Sequence, residues 1–506
     1  METFGKWRQR LWPIHSFELK KLLPLLIMKF LVSLIYAILT CMKDTMVVTA
    51  SGAGAEVIPV LKGWLVLPTA ILITLLYSKL SNHLKRSTLF YGTLCTFIGI
   101  ILVYGFFLYP NADALSPHET ADKLQSMLGG RGGHWIAAFR NWIPSLFFIT
   151  AEMWGGLGIF ILFWGFVNQI TGLKEAKRTY TLYIAAGDIA SIVTGPIVWH
   201  FANKYAHLDF SFTLQNLVCL IAFFGCVIMG IHYYLTKHVL KDPRFSTGAE
   251  NHDQNAQKNS LSLWKSVKHI ANSKYLLWIA VMVIGYGLAI NMIEVSWKAN
   301  LKMLYPNPLD YQAYMGTVTT TIGIIATLTV ILVGGGVLRR FGWRQSALLT
   351  PMVVGATGVI FFSLLILRPY LPETVFSMTP LILVVAVGTI QNISSKVMKY
   401  SFFDPTKEMA FIPLDPESKS KGKAAIDVVG ARLGKSGAAW IQVGLIDLIG
   451  TGSILSIPHL LLPVIVVAVF AWMTGIRKVS HQLIEKTEEK EALDAAEESA
   501  TTLVSE

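Results

Sequence analysis

Charge is scarce in this sequence. Asp, Glu, Lys and Arg make up 15% of its 506 residues, where a soluble chain carries about a quarter. Hydrophobic residues fill 53%, so too little polar surface is available for a solvated globule, and the composition reads as a multispanning membrane protein. Cysteine is scarcer still: Cys41, Cys95, Cys219 and Cys226 all lie in apolar runs, where a disulfide framework has no role. The first twenty residues lack the apolar core and cleavage site of a secretory signal and the serine-rich character of a transit peptide, so the expectation is an unprocessed chain. A sizeable polar domain is missing as well, which argues against a receptor or scaffold.

Catalytic constellations are equally thin. His118 with Asp122, His238 with Asp242 and His481 with Glu485 are spaced four apart. They fall in loops or the tail without a third ligand, and no nucleophile motif accompanies them. No enzyme activity, metal or cofactor is expected. The net charge of +12 does not imply nucleic acid, because the basic residues sit mostly in short loops between apolar segments.

What the chain has in abundance is long apolar runs. A helix needs about 20 apolar residues to cross the hydrocarbon core, and such runs centre on residues 22–42, 58–80, 88–108, 140–168, 178–202 and 212–236. A second set covers 275–298, 313–336, 345–367, 377–402, 424–450 and 455–475. The expected fold is therefore an all-α integral membrane protein of about 12 transmembrane helices in two six-helix bundles. The expected organisation is an N-terminal segment 1–21, a first bundle 22–236, a polar linker 237–274, a second bundle 275–475 and a charged tail 476–506, solvated helix or disordered. With both termini on one side, the connections on that side hold Lys79, Lys85 and Arg86, then Lys174, Lys177 and Arg178, the linker, Arg339, Arg340 and Arg344, and Lys407 to Lys423. Excess Lys and Arg marks the cytoplasmic face, which places the termini and the linker there. The halves echo each other in the paired basic residues of "SNHLKRST" and "VLRRFGWRQ", and repeated bundles are a mark of transporter folds, here loosely of the major facilitator type.

Ionisable residues inside spans are functional candidates by default. They comprise Lys29, the Lys43–Asp44 pair, Lys62, Glu152, Asp188, Glu294, Lys298, Asp427, Arg432 and Lys435. Lys62 lies near a span end, where a lysine can snorkel to the headgroups. Glu152 has no such escape, being flanked by "FFITA" and "MWGGLGIF". Glu294 and Lys298, four apart on one helix face, form a local pair in the simplest reading.

The stretch "GARLGKSGAAW" resembles a phosphate loop but fails its spacing. Three residues instead of four separate Gly430 from Gly434-Lys435-Ser436. Gly430, Gly434 and Ala438 instead recur every fourth position, the spacing that lets membrane helices approach closely, while Arg432 and Lys435 present two cations beside that seam. A cavity with more Lys and Arg than acids suits a multiply charged anion such as a phosphate chain. Trp154, Trp297 and Trp440 lie close in sequence to Glu152, Glu294 and Lys435, where they are candidates for stacking a base.

"WPIHSFELKKLLP", "KDTMVVTASGAGAEVIP", "FRNWIPSLFFITAEMWG", "IEVSWKANLKMLYPNPLDYQAYMG", "DPTKEMAFIPLD" and "KGKAAIDVVGARLGKSG" follow one another along almost the whole chain. In these the sequence resembles the nucleotide transporter family, the ATP/ADP translocases of obligate intracellular bacteria and plastids. The resemblance implies a facilitator-type fold that exchanges nucleotides by alternating access across a bacterial inner membrane, both termini cytoplasmic, as a monomer in the bilayer. Four charges important to transport in that family fall on Lys62, Glu152, Glu294 and Lys435. The expected substrate-binding set joins these with Lys43, Asn291, Lys298 and Arg432. The chain departs from the family where "LRDTKDT" becomes "LTCMKDT", placing Thr40 and Cys41 where an Arg–Asp pair is usual. It departs again where "NEIT" becomes "NQIT" at Gln169, and where Trp440 and Val443 follow the GKSG, and Lys29 is a further addition. ATP and ADP are the expected substrates. Exchange of GTP, UTP, CTP or NAD, or proton-coupled net uptake, is the alternative.

Overall fold

The computed structural model describes residues 15–129, 131–242, 245, 273–330, 332, 335–414, 422 and 426–505. Most of the linker and the first fourteen residues lie outside this set. A hydrocarbon environment demands that every backbone polar group be satisfied within its own segment, and the chain answers with helices. Among the described residues there is no strand beyond one isolated bridge, Val375 to Met378.

Among the described residues, twelve long helices stand where the apolar runs are. In the first half these are α1 (Leu19–Val48), α2 (Val57–Ser81), α3 (Arg86–Leu108) and α4 (Trp142–Ile170), then α5 (Leu173–Lys204) and α6 (Phe210–Val239). The second half has α7 (Lys274–Leu304), α8 (Pro308–Thr329), α9 (Gly335–Leu367), α10 (Pro380–Ala410), α11 (Ala431–Ile449) and α12 (Pro458–Ser505). Of these, 10 are long and apolar enough to cross a membrane by length and composition among the described residues. The two that do not qualify, α8 and α11, carry the threonines 317, 319, 320, 321, 327 and 329 and the charges of Arg432, Lys435 and Asp447. The basic turn falls within the first part of α9, where Gly342, at φ 76°, interrupts the helical geometry, a backbone conformation that glycine enters without steric cost. The tail takes the helical alternative, since α12 continues to Ser505.

Small residues set how the halves meet. Gly195 of α5 and Gly316 of α8 lie so close that a methyl added at Gly195 would fall 2.3 Å from the Gly316 carbonyl oxygen, and Thr320 Oγ1 donates to Ile192 O at 3.1 Å. α2 meets α11 in the same way, where Trp440 Nε1 donates to Gly63 O at 3.2 Å. At the end of the bundle remote from the termini, Lys302 of α7 donates to Ala53 O and His134 lies 3.4 Å from Asp447. Trp64 packs edge-on to both Trp135, at 4.9 Å, and Trp440, at 6.4 Å. That end is shut across the halves. α1 and α7 form the interior: 56% and 67% of their most apolar stretches are buried, against 28–44% in the other spans.

Candidate functional site

The site grows from α1 and α7 because these two helices are buried and carry charge. A charge taken out of water must find opposite charge, and removing one partner of a buried pair costs about 3–5 kcal/mol. The consecutive Lys43 and Asp44, both buried, are joined at 3.0 Å. Lys43 Nζ also reaches Glu152 Oε1 of α4 at 2.9 Å and lies 4.2 Å above the Phe148 ring. The other Asp44 oxygen accepts from Lys298 Nζ of α7 at 2.7 Å. Lys298 in turn reaches Glu294 Oε1 at 3.1 Å, and Lys396 of α10 approaches the same oxygen at 3.4 Å.

The result is an alternating ladder, Glu152–Lys43–Asp44–Lys298–Glu294–Lys396, running through α4, α1, α7 and α10. Three carboxylates and three ammonium groups balance. Two further lysines stand beside it without a carboxylate partner. Lys62 Nζ donates to the neutral Asn291 Oδ1 at 2.9 Å, and Asn291 is held in place by donating to Gly287 O, one turn back, at 2.7 Å. Lys435 is exposed on α11, and among the described residues neither it nor the half-exposed Arg432 belongs to an ion pair. Both Lys62 and Lys435 lie within electrostatic range of Glu152.

Local backbone explains these placements. Lys62 falls in a widened, π-helical turn, Leu61–Val66, and Glu152 lies just before another, Gly155–Trp164. Such turns re-aim side chains and recur at functional sites. α11 is held against α2 by Ser436 Oγ donating to Lys62 O at 3.4 Å, and against α7 at Gly434, where an added methyl would fall 3.0 Å from Gly287 Cα. The repeating small residues therefore do bring helices together, although at Gly430 an added methyl would make only ordinary contacts, 3.8 Å from Ile426 Cγ2 and 3.9 Å from Val283 Cγ1.

The structure brings Lys43, Lys62, Glu152, Asn291, Glu294 and Lys298 into one cluster, with Lys435 at its edge and Arg432 on the neighbouring turn. Three expectations change. Lys62 does not snorkel, because its ammonium turns inward to α7. The Glu294–Lys298 pair is not merely local, since Lys298 also bridges to α1. Trp154 and Trp297 are fully buried and donate to Val32 O at 3.0 Å and Thr389 Oγ1 at 3.1 Å, so both are packing residues with no face for a base. Of the three candidates, Trp440 alone is exposed. Nor are the cations of the cluster left bare, since carboxylates occupy Lys43 and Lys298. Sequence reasoning missed Lys396, which the rule that flagged the other intramembrane charges would have found in "SSKVMKYSFF". Lys29 and Asp188 lie elsewhere: Lys29 is buried, bonded to Ser33 Oγ at 3.0 Å and 5.5 Å from the Phe163 ring.

An all-helical chain with ten helices long and apolar enough to cross a membrane among its described residues, and a buried, balanced charge ladder linking its first half to its second, is an integral membrane protein. Among solved structures, the fold is similar to a point mutant of the nucleoside transporter NupG (TM-score 0.58, 12% identity, 90% of this chain and 99% of that one). It is also similar to an inward-facing bacterial homologue of the iron transporter ferroportin (TM-score 0.56, 14% identity, 92% and 98%). The chain belongs to the TLC ATP/ADP transporter family, whose model matches residues 1–483. It is 42% identical over 516 residues to ADP,ATP carrier protein 1 of Chlamydia muridarum, covering 99% of this chain and 96% of that one. The same-named protein of Chlamydia trachomatis serovar D is 42% identical over 497 residues, at 97% and 94% coverage. The chloroplastic ADP,ATP carrier protein 1 of Arabidopsis thaliana is 39% identical over 489 residues, covering 95% of this chain and 77% of that one.

Proposed function

We propose that this chain exchanges nucleotides, ATP against ADP, across a bacterial inner membrane by alternating access. The observation that carries the reading is the near-full-length similarity, at 42% identity, to chlamydial ADP,ATP carriers, together with a cluster of lysines suited to phosphates. Lys62 and Lys435, which lack carboxylate partners, are the first contacts for the phosphate chain, and Lys43 and Lys298 join once their carboxylates yield. Glu152 and Glu294 hold those lysines in place, Asn291 aims Lys62, and Arg432 adds positive charge on the approach along α11. The two halves, residues 22–236 and 275–475, are the bodies that rock about the site, with the termini and linker cytoplasmic by the placement of basic loops. The nucleotide leaves chemically unchanged, since the site offers cations and their counter-ions but no nucleophile.

The test is direct. Purified protein in vesicles preloaded with labelled ATP should release label many times faster when ADP is outside than when it is not, and should liberate no inorganic phosphate. Release at equal rates with and without external nucleotide would reject exchange. Release stimulated by GTP or NAD but not by ADP would reject the substrate.

A further inference from the structure

Asp44 is the one carboxylate of the ladder that is held by lysines from both halves. Its Oδ1 accepts from Lys43 of its own helix at 3.0 Å, and its Oδ2 accepts from Lys298 of α7 at 2.7 Å. It is buried, 1% exposed, so water cannot replace either partner. Glu152 and Glu294, by contrast, each keep a partly exposed side chain, 15% and 16%.

A nucleotide triphosphate brings up to about four negative charges, and the cluster offers two cations without carboxylate partners. Further phosphate oxygens must take lysines that now serve carboxylates, and of the three in the ladder Lys43 and Lys298 are the two that hold Asp44. We propose that Asp44 is the internal counter-ion that substrate phosphate displaces, and that its bond to Lys298 locks the empty carrier against reorientation. An unliganded carrier that rocked its halves apart would break the buried Asp44–Lys298 pair, leaving Asp44 with Lys43 alone and Lys298 with Glu294 alone, and losing a partner inside a buried charge network is unfavourable. A bound phosphate chain takes over Lys298 and removes that barrier, so movement happens only when loaded. Tyr311 of α8 supplies the donor for the released carboxylate. Its hydroxyl is buried and makes no hydrogen bond among the described residues, and Asp44 lies within its electrostatic range.

This inference rests on the exchange reading above and deepens it. The experiment measures release of labelled ATP from vesicles, with and without ADP outside, for the wild type and Asp44→Asn. The expected result is that Asp44→Asn releases label without external ADP about tenfold faster than wild type, while KM for ATP falls because Lys43 and Lys298 each lose one competing carboxylate. A tenfold change corresponds to about 1.4 kcal/mol. Asp44→Asn that remains strictly dependent on external ADP, or whose KM rises, overturns the proposal while leaving exchange intact. A wild type that ignores external ADP overturns both. If Asp44→Asn does not accumulate in membranes, the neutral pair Asp44→Asn with Lys298→Gln carries the test. Uncoupled release supports the lock and retained coupling overturns it.

Discussion

Lys435 and Lys62 illustrate how much a single side chain's surroundings decide. Both are lysines near glycines in apolar helices, and sequence alone leaves snorkelling open for each. In the folded chain Lys62 turns toward Asn291, while Lys435 is exposed on α11. Hydrogen bonds to charged groups contribute about 1.5–3 kcal/mol each, so Lys435→Gln should weaken ATP binding by roughly ten- to a hundredfold while leaving insertion and thermal stability unchanged. Calorimetric titration of the detergent-solubilised protein reads this, and unchanged affinity would remove Lys435 from the site. Asn291→Ala should act through Lys62, raising KM less than Lys62→Gln does. An Asn291→Ala effect larger than that of Lys62→Gln would mean that Asn291 touches the nucleotide itself. The charged residues themselves were legible in the sequence, because a charge in an apolar run stands out. Their partners were not, since nothing in "MKDTM" indicates that Asp44 reaches a lysine 254 residues away.

Among the elements, α11 carries the most decisive packing. Its Gly434 lies against Gly287 so closely that a methyl there would come within 3.1 Å of Ile284 O and 3.0 Å of Gly287 Cα. Backbone cannot yield as a flexible side chain can, and overpacking of this kind costs about 1–3 kcal/mol. Gly434→Ala should therefore lower the unfolding temperature by several degrees, followed by tryptophan fluorescence in detergent, and Gly430→Ala should not, because a methyl there meets only side chains at ordinary contact distance. Equal losses for the two would refute the seam. The fourfold spacing of small residues gave away the existence of a close approach. It did not say which of the three residues makes it, or that the partner is α7, because a periodic pattern fixes a helix face and not what lies opposite.

For the molecule as a whole, contacts between the halves close the end remote from the termini. His134 and Asp447, 3.4 Å apart, belong to opposite halves, and Trp135 wedges beside Trp64 there. The proposed alternating access requires the contacts between the halves to open. Replacing both with cysteine, His134→Cys and Asp447→Cys, and bridging them with a short bifunctional thiol reagent should stop ADP-stimulated release in proportion to the fraction bridged. A reagent with a reducible link should restore release on cleavage. Full transport by the bridged protein would show that this end does not gate.

The sequence by itself determined the helical, membrane-spanning class, the places of the twelve long helices, the basic loops and the family. Hydropathy, loop charge and motif order are local properties that need no knowledge of neighbours. Only the tertiary structure decided that Lys62 faces inward to Asn291, that Trp154 and Trp297 are buried packing, and that Asp44 ties one half of the molecule to the other. These outcomes depend on the rotation and approach of helices hundreds of residues apart in the chain. In a hydrocarbon interior that approach is set by which small residues let backbones meet and which buried charges must be neutralised.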